Sequence, residues 1–466
     1  MKLSRSAIAC ALVCATSTSF ATDASDVQQL KAQMEALQRQ LSAMQQKLDS
    51  VTAAQVAAPA VATTAAAAPA SGLSTTIGGA VMTLYGFVDV SADAVRGGNE
   101  KTQQVSSNLS HVGVRAFKPL GSTGLAAIAQ IETLANISGT PTETGGLASR
   151  NSFVGLQGSF GKIMLGKNDT PYKRATASMD PFASSVGDYN SIMGNSGGDL
   201  RAEFDARLPH AIFYDSPVIS GFSVNALLSP GQKLNDLGES DKYALPQGEH
   251  VCSGSSPGGS GSTPTPTPGG GAVCDDGAFK SAGSIAANYQ VGSLRAILAY
   301  ELHRAVNRTG DTGGVTSNER ALKLGATYNF GTNRLSGIVE KLYRSGGIDP
   351  TLNERARNGY YLSDVQSFGA FDLNLAWAHA AQTPGGPDFG TLGDTANLYA
   401  LGTKYHIDKQ FSIYALGSLL RQGPGAHYAL GAGGHGVPFA SPRDASGATI
   451  PGQTLKAVSV GLQYGF

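Results

Sequence analysis

The residues best suited to covalent or metal chemistry are few in this chain. Cys252 and Cys274 lie about twenty residues apart in a segment rich in Gly, Ser, Thr and Pro. In an exported protein, two such thiols favour a disulfide, which would close the segment into a loop. A zinc site is poorly supported, because only His250 lies near them and zinc takes four ligands.

The histidines and carboxylates do not form the pattern of an enzyme. The eight His residues are dispersed, and His379 and His406 fall in strand-like segments without a matching set of partners. The sequence motifs of a nucleophile elbow, a zinc-binding helix and a phosphate-binding loop are absent. We therefore expect no catalytic activity, no cofactor and no resident metal.

Residues 1–21 have the pattern of a secretory signal peptide. Lys2 and Arg5 precede a short apolar run, and Ser19-Phe20-Ala21 predicts cleavage after Ala21. A lipoprotein would use Cys10 or Cys14, but the first comes too early and the second follows an unsuitable residue. Export places Cys252 and Cys274 in an oxidising compartment.

Charge and composition indicate the class of protein. The chain has 34 Lys and Arg against 34 Asp and Glu, and removing Lys2 and Arg5 leaves it slightly acidic. This balance argues against nucleic acid as a partner. Glycine is abundant, at 60 of 466 residues, and the mean hydropathy is −0.08. Membrane β-barrels combine these properties, because lipid-facing residues alternate with lumen-facing ones.

Residues 22–52 predict a short coiled coil. Apolar residues recur there at alternating spacings of three and four, which is the heptad pattern; they are Val27, Leu30, Met34, Leu37, Leu41, Met44, Leu48 and Val51. One helix of this length is marginal in water, so we expect it to associate with sister chains. The alternative is an amphipathic helix docked on the protein's own surface. Residues 53–77, rich in Ala, Thr and Pro, predict a linker.

From residue 78 onward the chain alternates apolar and polar residues with period 2, which predicts strands. Short turns alternate with long loops, as expected for a transmembrane antiparallel β-barrel of about 16 strands. The predicted strands are 82–90, 107–118, 124–136, 149–158, 160–168, 207–216, 220–230, 283–291, 294–304, 319–330, 332–344, 355–367, 370–381, 396–407, 410–421 and 455–466. The predicted long loops are 96–106, 137–148, 169–206, 231–282, 305–318, 345–354, 382–395 and 422–454.

The final segment shows this pattern most clearly. Its apolar face carries Val458, Val460, Leu462, Tyr464 and Phe466, and small or polar residues alternate with them. A soluble sandwich could contain such a strand, but an exposed aromatic terminus frays easily in water. In a barrel, the same strand pairs with the first one and places its aromatic residues at the bilayer boundary. The sequence therefore predicts an all-β membrane protein preceded by a short helical coiled coil.

Several stretches resemble the general porins of Gram-negative outer membranes, of the trimeric proteobacterial type. The resemblance spans roughly residues 78–466. The matching stretches are Thr83–Gly86, Ser110–Arg115, Gly124–Glu132, Arg150–Leu156, Phe160–Lys167, Arg207–Pro217, Gly221–Phe222 and Tyr464–Phe466. The coiled coil and the Cys-bounded insert lie outside the usual pattern. A periplasmic coiled coil is more familiar from sugar- or anion-selective trimeric porins.

The resemblance implies a passive channel for ions and small hydrophilic solutes in the outer membrane. The alternatives are a sugar- or anion-selective porin and a structural barrel tethered to the cell wall. It also implies a homotrimer in contact with membrane lipid and lipopolysaccharide, and the coiled coil suggests contact with peptidoglycan. In this family the third long loop narrows the pore, with acidic groups facing a basic wall. The implied acidic residues are Asp180, Asp188 and Asp199, and the implied wall residues are His111, Arg115, Arg150 and Arg207. Tyr464 and Phe466 are the implied assembly signal.

Overall fold

We analysed a computed structural model of the chain. It describes residues 73–138, 146–194, 204–230, 265–266, 272–273, 281–307, 316–345, 356–382, 393–426, 428–431, 434–436, 439 and 450–466. The predicted signal peptide, coiled coil and most of the linker lie outside the described residues, as do Asp199, Cys252 and Cys274.

The period-2 segments form strands close to the positions predicted for them. The strands are β1 (Leu73–Ile77), β2 (Ala80–Gly97), β3 (Glu100–Ser107), β4 (His111–Pro119), β5 (Ala126–Leu134), β6 (Ser152–Gly158), β7 (Gly161–Asp169), β8 (Arg207–Asp215), β9 (Phe222–Ser229), β10 (Thr265–Pro266), β11 (Ala272–Val273), β12 (Ser281–Val291), β13 (Leu294–Asn307), β14 (Thr316–Phe330), β15 (Asn333–Ser345), β16 (Arg357–Phe368), β17 (Phe371–Ala380), β18 (Ala396–His406), β19 (Phe411–Gln422) and β20 (Leu455–Gly465). The described helices are α1 (Pro171–Thr176) and a 3-10 helix (Tyr189–Ser191), and neither is long and apolar enough to cross a membrane.

The sheet closes on itself because the last strand pairs with the first long one. β20 runs antiparallel to β2, from Phe87 opposite Gly465 to Gly97 opposite Leu455. β3 and β4 follow one another along the other edge of β2 and form one wall strand interrupted at residues 108–110. The barrel therefore has 16 antiparallel strands, as predicted. β10 and β11 form a separate two-stranded pair.

Two features differ from the strand prediction. The predicted loop 96–106 is wrong, because β2 continues to Gly97 and β3 begins at Glu100 after a tight turn. Most of residues 100–104 are exposed and all are polar, so they lack the alternation that marks a half-buried strand. In addition, β1 forms an exposed hairpin with β2, from Leu73 opposite Leu84 to Ile77 opposite Ala80.

The outer face of the barrel is apolar. On β17, Leu373 and Leu375 are exposed while Asn374 faces inward and is buried. Aromatic residues cluster on this outer face at the end of the barrel where the turns are short; they are Tyr328, Phe330, Phe368, Phe371, Tyr405 and Tyr464. An apolar band edged by aromatic residues is the surface that a bilayer requires.

The hydrophobic core lies inside the barrel, beneath this wall. Its central members come from the long connection between β7 and β8, and all are at most 3 % exposed; they include Tyr172, Met179, Phe182, Val186, Tyr189, Ile192, Met193 and Phe204. We call residues 170–206 the constriction loop. The barrel is therefore lined and narrowed from within by this loop.

Candidate pore constriction

The constriction loop enters the lumen through a capped helix. The Thr170 hydroxyl accepts a hydrogen bond from Lys173 N at 3.2 Å, and Pro171 occupies the first turn, where its missing N–H is not needed. Further along, the Asp188 carboxylate caps the 3-10 helix by accepting from Asn190 N at 2.8 Å. These local signals fix the backbone of the loop between Thr170 and Ser191.

The far side of the barrel holds this loop by hydrogen bonds to buried wall residues. Glu340 on β15 accepts from Tyr172 Oη at 2.7 Å and from Gly194 N at 2.8 Å. Tyr361 on β16 donates to Asp180 Oδ1 at 2.8 Å. The loop thus crosses the lumen and is attached to strands that lie far from it in the sequence.

Lys323 on β14 is the most buried ionic attachment of this loop. Its side chain is 0 % exposed, and Nζ lies 2.7 Å from Asp205 Oδ1 and 3.7 Å from Glu340 Oε2. It also donates to Thr176 Oγ1 at 3.2 Å and lies 4.1 Å from the centre of the Tyr172 ring. Burial raises the pKa of Asp205 to about 6, although the nearby ammonium opposes the rise. One wall lysine therefore joins both halves of the constriction loop.

Asp180 and Asp188 lie inside the constriction loop rather than on its pore-facing surface. Asp180 accepts from Phe182 N at 2.8 Å and from Tyr189 N at 3.2 Å, and Asp188 accepts from Ser184 N at 2.7 Å. Their residues are 8 % and 2 % exposed. Burial raises the pKa of both carboxyl groups, and the proximity of Asp188 raises that of Asp180 further. Both carboxyl groups therefore fix the shape of the loop. The structure does not place them facing Arg150 and Arg207, as the resemblance implied.

The basic residues form a cluster on the wall of β4–β8 and the start of the constriction loop, which we call the basic wall. Arg150 Nε lies 2.7 Å from Glu132 Oε1, and Arg207 Nη2 lies 3.0 Å from Asp169 Oδ1. Asp169 also pairs with Lys173 at 3.3 Å. Arg174, from α1, makes two 3.0 Å hydrogen bonds to Asp215 at the short-turn end of β8, so this pair lies apart from the cluster. The arginines predicted from the sequence are therefore brought together, but with Glu132 and Asp169 as their counter-charges.

Arg115 and His111 extend this wall along β4. The Arg115 guanidinium lies 3.9 Å from the centre of the Tyr85 ring and donates to Gln130 Oε1 at 3.0 Å. His111 Nδ1 lies 2.8 Å from Leu109 O. Glu132, Asp169 and Lys173 were missed in the sequence. Glu132 has the inward parity of β5, and Lys173 lies at the start of a long loop, so these two could have been found from the sequence. Asp169 has the outward parity of Ile163 and Leu165, and it pairs with Arg207 only because the register shifts between Gly166 and Asn168.

A second loop also folds inward. The described residues of the segment 422–454, which was predicted as an external loop, contact the constriction loop where Gly431 N donates to Ser191 Oγ at 3.0 Å. His435 Nε2 lies 3.1 Å from Asp93 Oδ2 on β2, and both side chains are 0 % exposed. This loop covers the β2–β3 side of the lumen, opposite the attachments to β14–β16.

The two predicted assembly residues lie at the closing seam. Phe466 exchanges two backbone hydrogen bonds with Gly86 on β2, at 3.0 and 3.1 Å. Its ring occupies the space that a side chain at residue 86 would take. The Tyr464 and Phe466 rings stack with centres 5.7 Å apart. The terminal aromatic residue is therefore part of the seam itself.

Comparisons with known proteins agree with this architecture. The sequence profile of the family described as Gram-negative porin matches residues 52–423. The major outer membrane protein P.IB of Neisseria meningitidis serogroup B is 25 % identical over 370 residues, covering 76 % of this chain and 93 % of that protein. The P.IB protein of Neisseria sicca is 31 % identical over 163 residues, which cover 33 % of this chain and only 43 % of that protein.

Solved structures show the same fold. An anion-selective porin from Comamonas acidovorans superposes with a TM-score of 0.58 at 20 % identity, covering 83 % of this chain and 100 % of that one. The trimer form of OmpT, an outer membrane protein of Vibrio cholerae, gives a TM-score of 0.52 at 14 % identity, covering 83 % of this chain and 99 % of that one.

The fold, the lumen and the family profile lead to one assignment. The outer face suits a bilayer, the interior carries charged groups around an inward-folded loop, and the family and fold point to a channel rather than an enzyme. The chain therefore belongs to the Gram-negative porin family, the passive diffusion channels of the outer membrane.

Proposed function

We propose that this porin passes ions and small hydrophilic solutes and favours anions. The observation that carries the proposal is the basic wall, where four cations meet two carboxylates: Arg115, Arg150, Arg207 and Lys173 against Glu132 and Asp169. The excess positive charge creates a potential that attracts anions into a narrow pore. Asp180 and Asp188 do not offset it, since they are enclosed in the loop.

Arg150 supplies a more specific reason for an anion preference. Among the described residues, its Nη1 atom is buried and has no hydrogen-bond acceptor. A buried guanidinium donor without an acceptor leaves part of the Arg150 charge uncompensated, which adds to the positive potential of the basic wall. The name of the Comamonas acidovorans structure describes that protein as anion-selective, which agrees with this direction.

We further propose that the protein is a homotrimer. The trimer form of the Vibrio cholerae structure and the heptad pattern of residues 22–52 support this. The signal peptide at 1–21, a linker that begins at residue 53 and ends before β1 at Leu73, and the bridge between Cys252 and Cys274 complete the proposed organisation. In it the coiled coil lies in the periplasm, where peptidoglycan is the expected contact.

Reversal potentials across a planar bilayer test the selectivity. In a gradient of 0.1 M against 0.01 M salt, the double variant Arg150→Gln with Arg207→Gln should shift permeability toward cations. The shift should shrink near 1 M salt, where the screening length falls to about 3 Å. The matched control is Arg304→Gln with Lys341→Gln, which removes two exposed cations from the outer face.

Two results would contradict this assignment. One is a reversal potential in the Arg150/Arg207 variant equal to that of the control. The other is a strong shift toward anions in Asp180→Asn, because an enclosed carboxyl that shapes the loop should have little direct effect on the passing ion.

A further inference from the structure

We propose that the outer wall of β16–β20 binds a hydrophobic amine, a small molecule with one protonated nitrogen and an apolar body. The apolar body would lie in a groove of about 850 Å³ on this wall, which we call the apolar groove. The protonated nitrogen would pair with Asp364 at one end of the groove. This site lies on the opposite side of the wall from the lumen, so it does not depend on the proposed ion selectivity.

The apolar groove follows two rows of outward side chains that cross the wall from strand to strand. One row runs from Asp364 on β16 to Val458 on β20, and the other row begins at Leu362 and ends at Lys456 on the same two strands. Between these ends lie Leu375, Leu401, Gly417, Trp377, Tyr399 and Leu419. At about 4.8 Å per strand, the groove is about 19 Å long.

The dimensions and lining of the groove favour a small molecule over a protein segment. Sites for small molecules commonly measure about 300–1,000 Å³, and the groove lies within this range. A helix with its side chains is about 10–12 Å wide, so it would extend far beyond a space of this volume. The side chains that line the groove are mostly aliphatic or aromatic, which suits an apolar ligand body.

Asp364 is a charged residue in apolar surroundings. It alternates with Leu362 on the outward face of β16 and is half-buried. The outward positions around it are uncharged; they are Asn333, Leu335, Gly337, Leu362, Gln366, Leu373, Leu375 and Trp377. Within the part of the chain that the structure describes, its carboxylate makes no hydrogen bond or ion pair. The wall therefore supplies no positive partner, and a ligand with a cation would supply one.

The depth of Asp364 in the bilayer strengthens this argument. It is four residues from Phe368, which marks the short-turn edge of the apolar band on β16. At about 3.3 Å per residue and a strand tilt of about 40°, it lies about 10 Å inside a band about 25 Å tall. Ionisable groups at such depth are unfavourable unless they pair. Asn333 and Gln366, which share a hydrogen bond at 3.1 Å, lie nearer the edge and give a polar path by which an amine can reach Asp364.

An aromatic ring and a distant cation fix the orientation of the ligand. Trp377 lies one row from Asp364 on the neighbouring strand, and aromatic faces attract ammonium groups. Its indole nitrogen donates to Asn397 Oδ1 at 3.2 Å, and its ring stacks on His379, so the ring is held in place. Lys456 at the other end of the groove would repel an ammonium group. The nitrogen of the ligand therefore belongs at the Asp364 end.

Quenching of tryptophan fluorescence tests the site, because Trp377 is the one tryptophan in the chain. The full-length protein is reconstituted in phosphatidylcholine bilayers. Dodecylamine with a nitroxide quencher on its chain is added over a concentration series, and nitroxide-labelled dodecanol and dodecyl sulfate are added in parallel series. Wild-type protein should show saturable quenching by the amine and weaker quenching by the alcohol and the sulfate.

Two variants separate the charge from the groove. Asp364→Asn should weaken amine binding about 30-fold, as expected from the loss of one charge-assisted hydrogen bond, and leave the response to the alcohol unchanged. Its matched control is Glu100→Gln, which removes an exposed carboxylate beside the β2–β3 turn and should retain wild-type quenching. Gly417→Leu should fill the groove and weaken amine binding without backbone strain, because the nearest atom to an added Cβ is Ala457 O at 3.7 Å. Wild-type conductance confirms that each variant is folded.

The proposal is overturned if Asp364→Asn and Glu100→Gln bind the amine equally, or if wild-type protein binds the amine and the alcohol equally. It is also overturned if Gly417→Leu binds the amine like wild type. Tighter binding of dodecyl sulfate would overturn it by assigning the groove to an anion held by Lys456. A lack of saturable quenching by all three probes would overturn it as well, since a groove covered by a protein would give that result.

Discussion

Replacing Lys323 with Met should loosen the constriction loop without opening the barrel wall. Lys323 is fully buried, and its ammonium lies 2.7 and 2.8 Å from the two Asp205 oxygens. Methionine fills a similar volume but leaves the carboxyl groups of Asp205 and Glu340 without their cation. The outer face of β14 does not change, so insertion into the membrane should be preserved.

The size of the effect follows from this burial. Removing one partner of a buried ion pair costs about 3–5 kcal/mol, because the remaining charge stays buried without a partner. Burial raises the pKa of Asp205, and removing the Lys323 ammonium raises it further, so in the variant this carboxyl group can take up a proton near neutral pH, which limits the loss. We expect the loop attachment to weaken by about 3 kcal/mol, or about 150-fold in the ratio of detached to attached loop.

Single-channel recording measures this directly. Lys323→Met should give noisier current with brief conductance steps as the constriction loop leaves the wall. The matched control is Lys341→Met, which removes an exposed outward lysine from the neighbouring strand β15. Adding Asp205→Asn to Lys323→Met should restore much of the quiet behaviour, because the uncompensated carboxylate is then gone.

One result would contradict the proposed role of Lys323 in holding the constriction loop. If Lys323→Met and Lys341→Met give the same current noise and the same temperature of heat denaturation, the buried lysine does not hold the loop.

Three further predictions follow from the structure. First, Gly86→Val should displace the Phe466 ring and lower the amount of folded protein in the outer membrane, as should deletion of Phe466; normal surface levels on immunoblots of membrane fractions would exclude this. Second, the raised pKa of Asp205 means that the folded state binds its proton more tightly, so this group's contribution to stability is present near pH 4 and is lost as pH rises through about 6; Asp205→Asn should flatten heat-denaturation midpoints over that range. Third, a thiol assay on denatured, unreduced protein without its signal peptide should find no reactive group at Cys252 and Cys274, and two thiols per chain would exclude the bridge.

Some features of the constriction could not be predicted from the sequence. Arg150 and Arg207 could be assigned to the lumen from strand parity and from the resemblance. Asp180 and Asp188 could be assigned to the correct loop, but not to its interior. A carboxylate in a loop looks the same in the sequence whether it faces water or accepts backbone N–H groups, and only the turn geometry of the folded loop decides between them.

Lys323, on the barrel wall, is a second residue whose environment could not be predicted from the sequence. Its position in the alternation of β14 shows that it faces inward, and a lumen-facing lysine is ordinarily solvated. It is buried because Asp205 and Thr176, more than a hundred residues earlier in the chain, are carried onto it by the constriction loop. Contacts between residues so far apart in the chain produce no local sequence pattern from which they could be predicted.

The sequence by itself determined the barrel. Period-2 alternation, alternating short and long connections and an aromatic closing strand are local properties, and together they are typical of a closed sheet that crosses a bilayer. Only the tertiary structure decided what fills that barrel: which loops fold inward and which charges pair. Those outcomes depend on the register and tilt of strands that are distant in the chain, so they arise only when the sheet has closed.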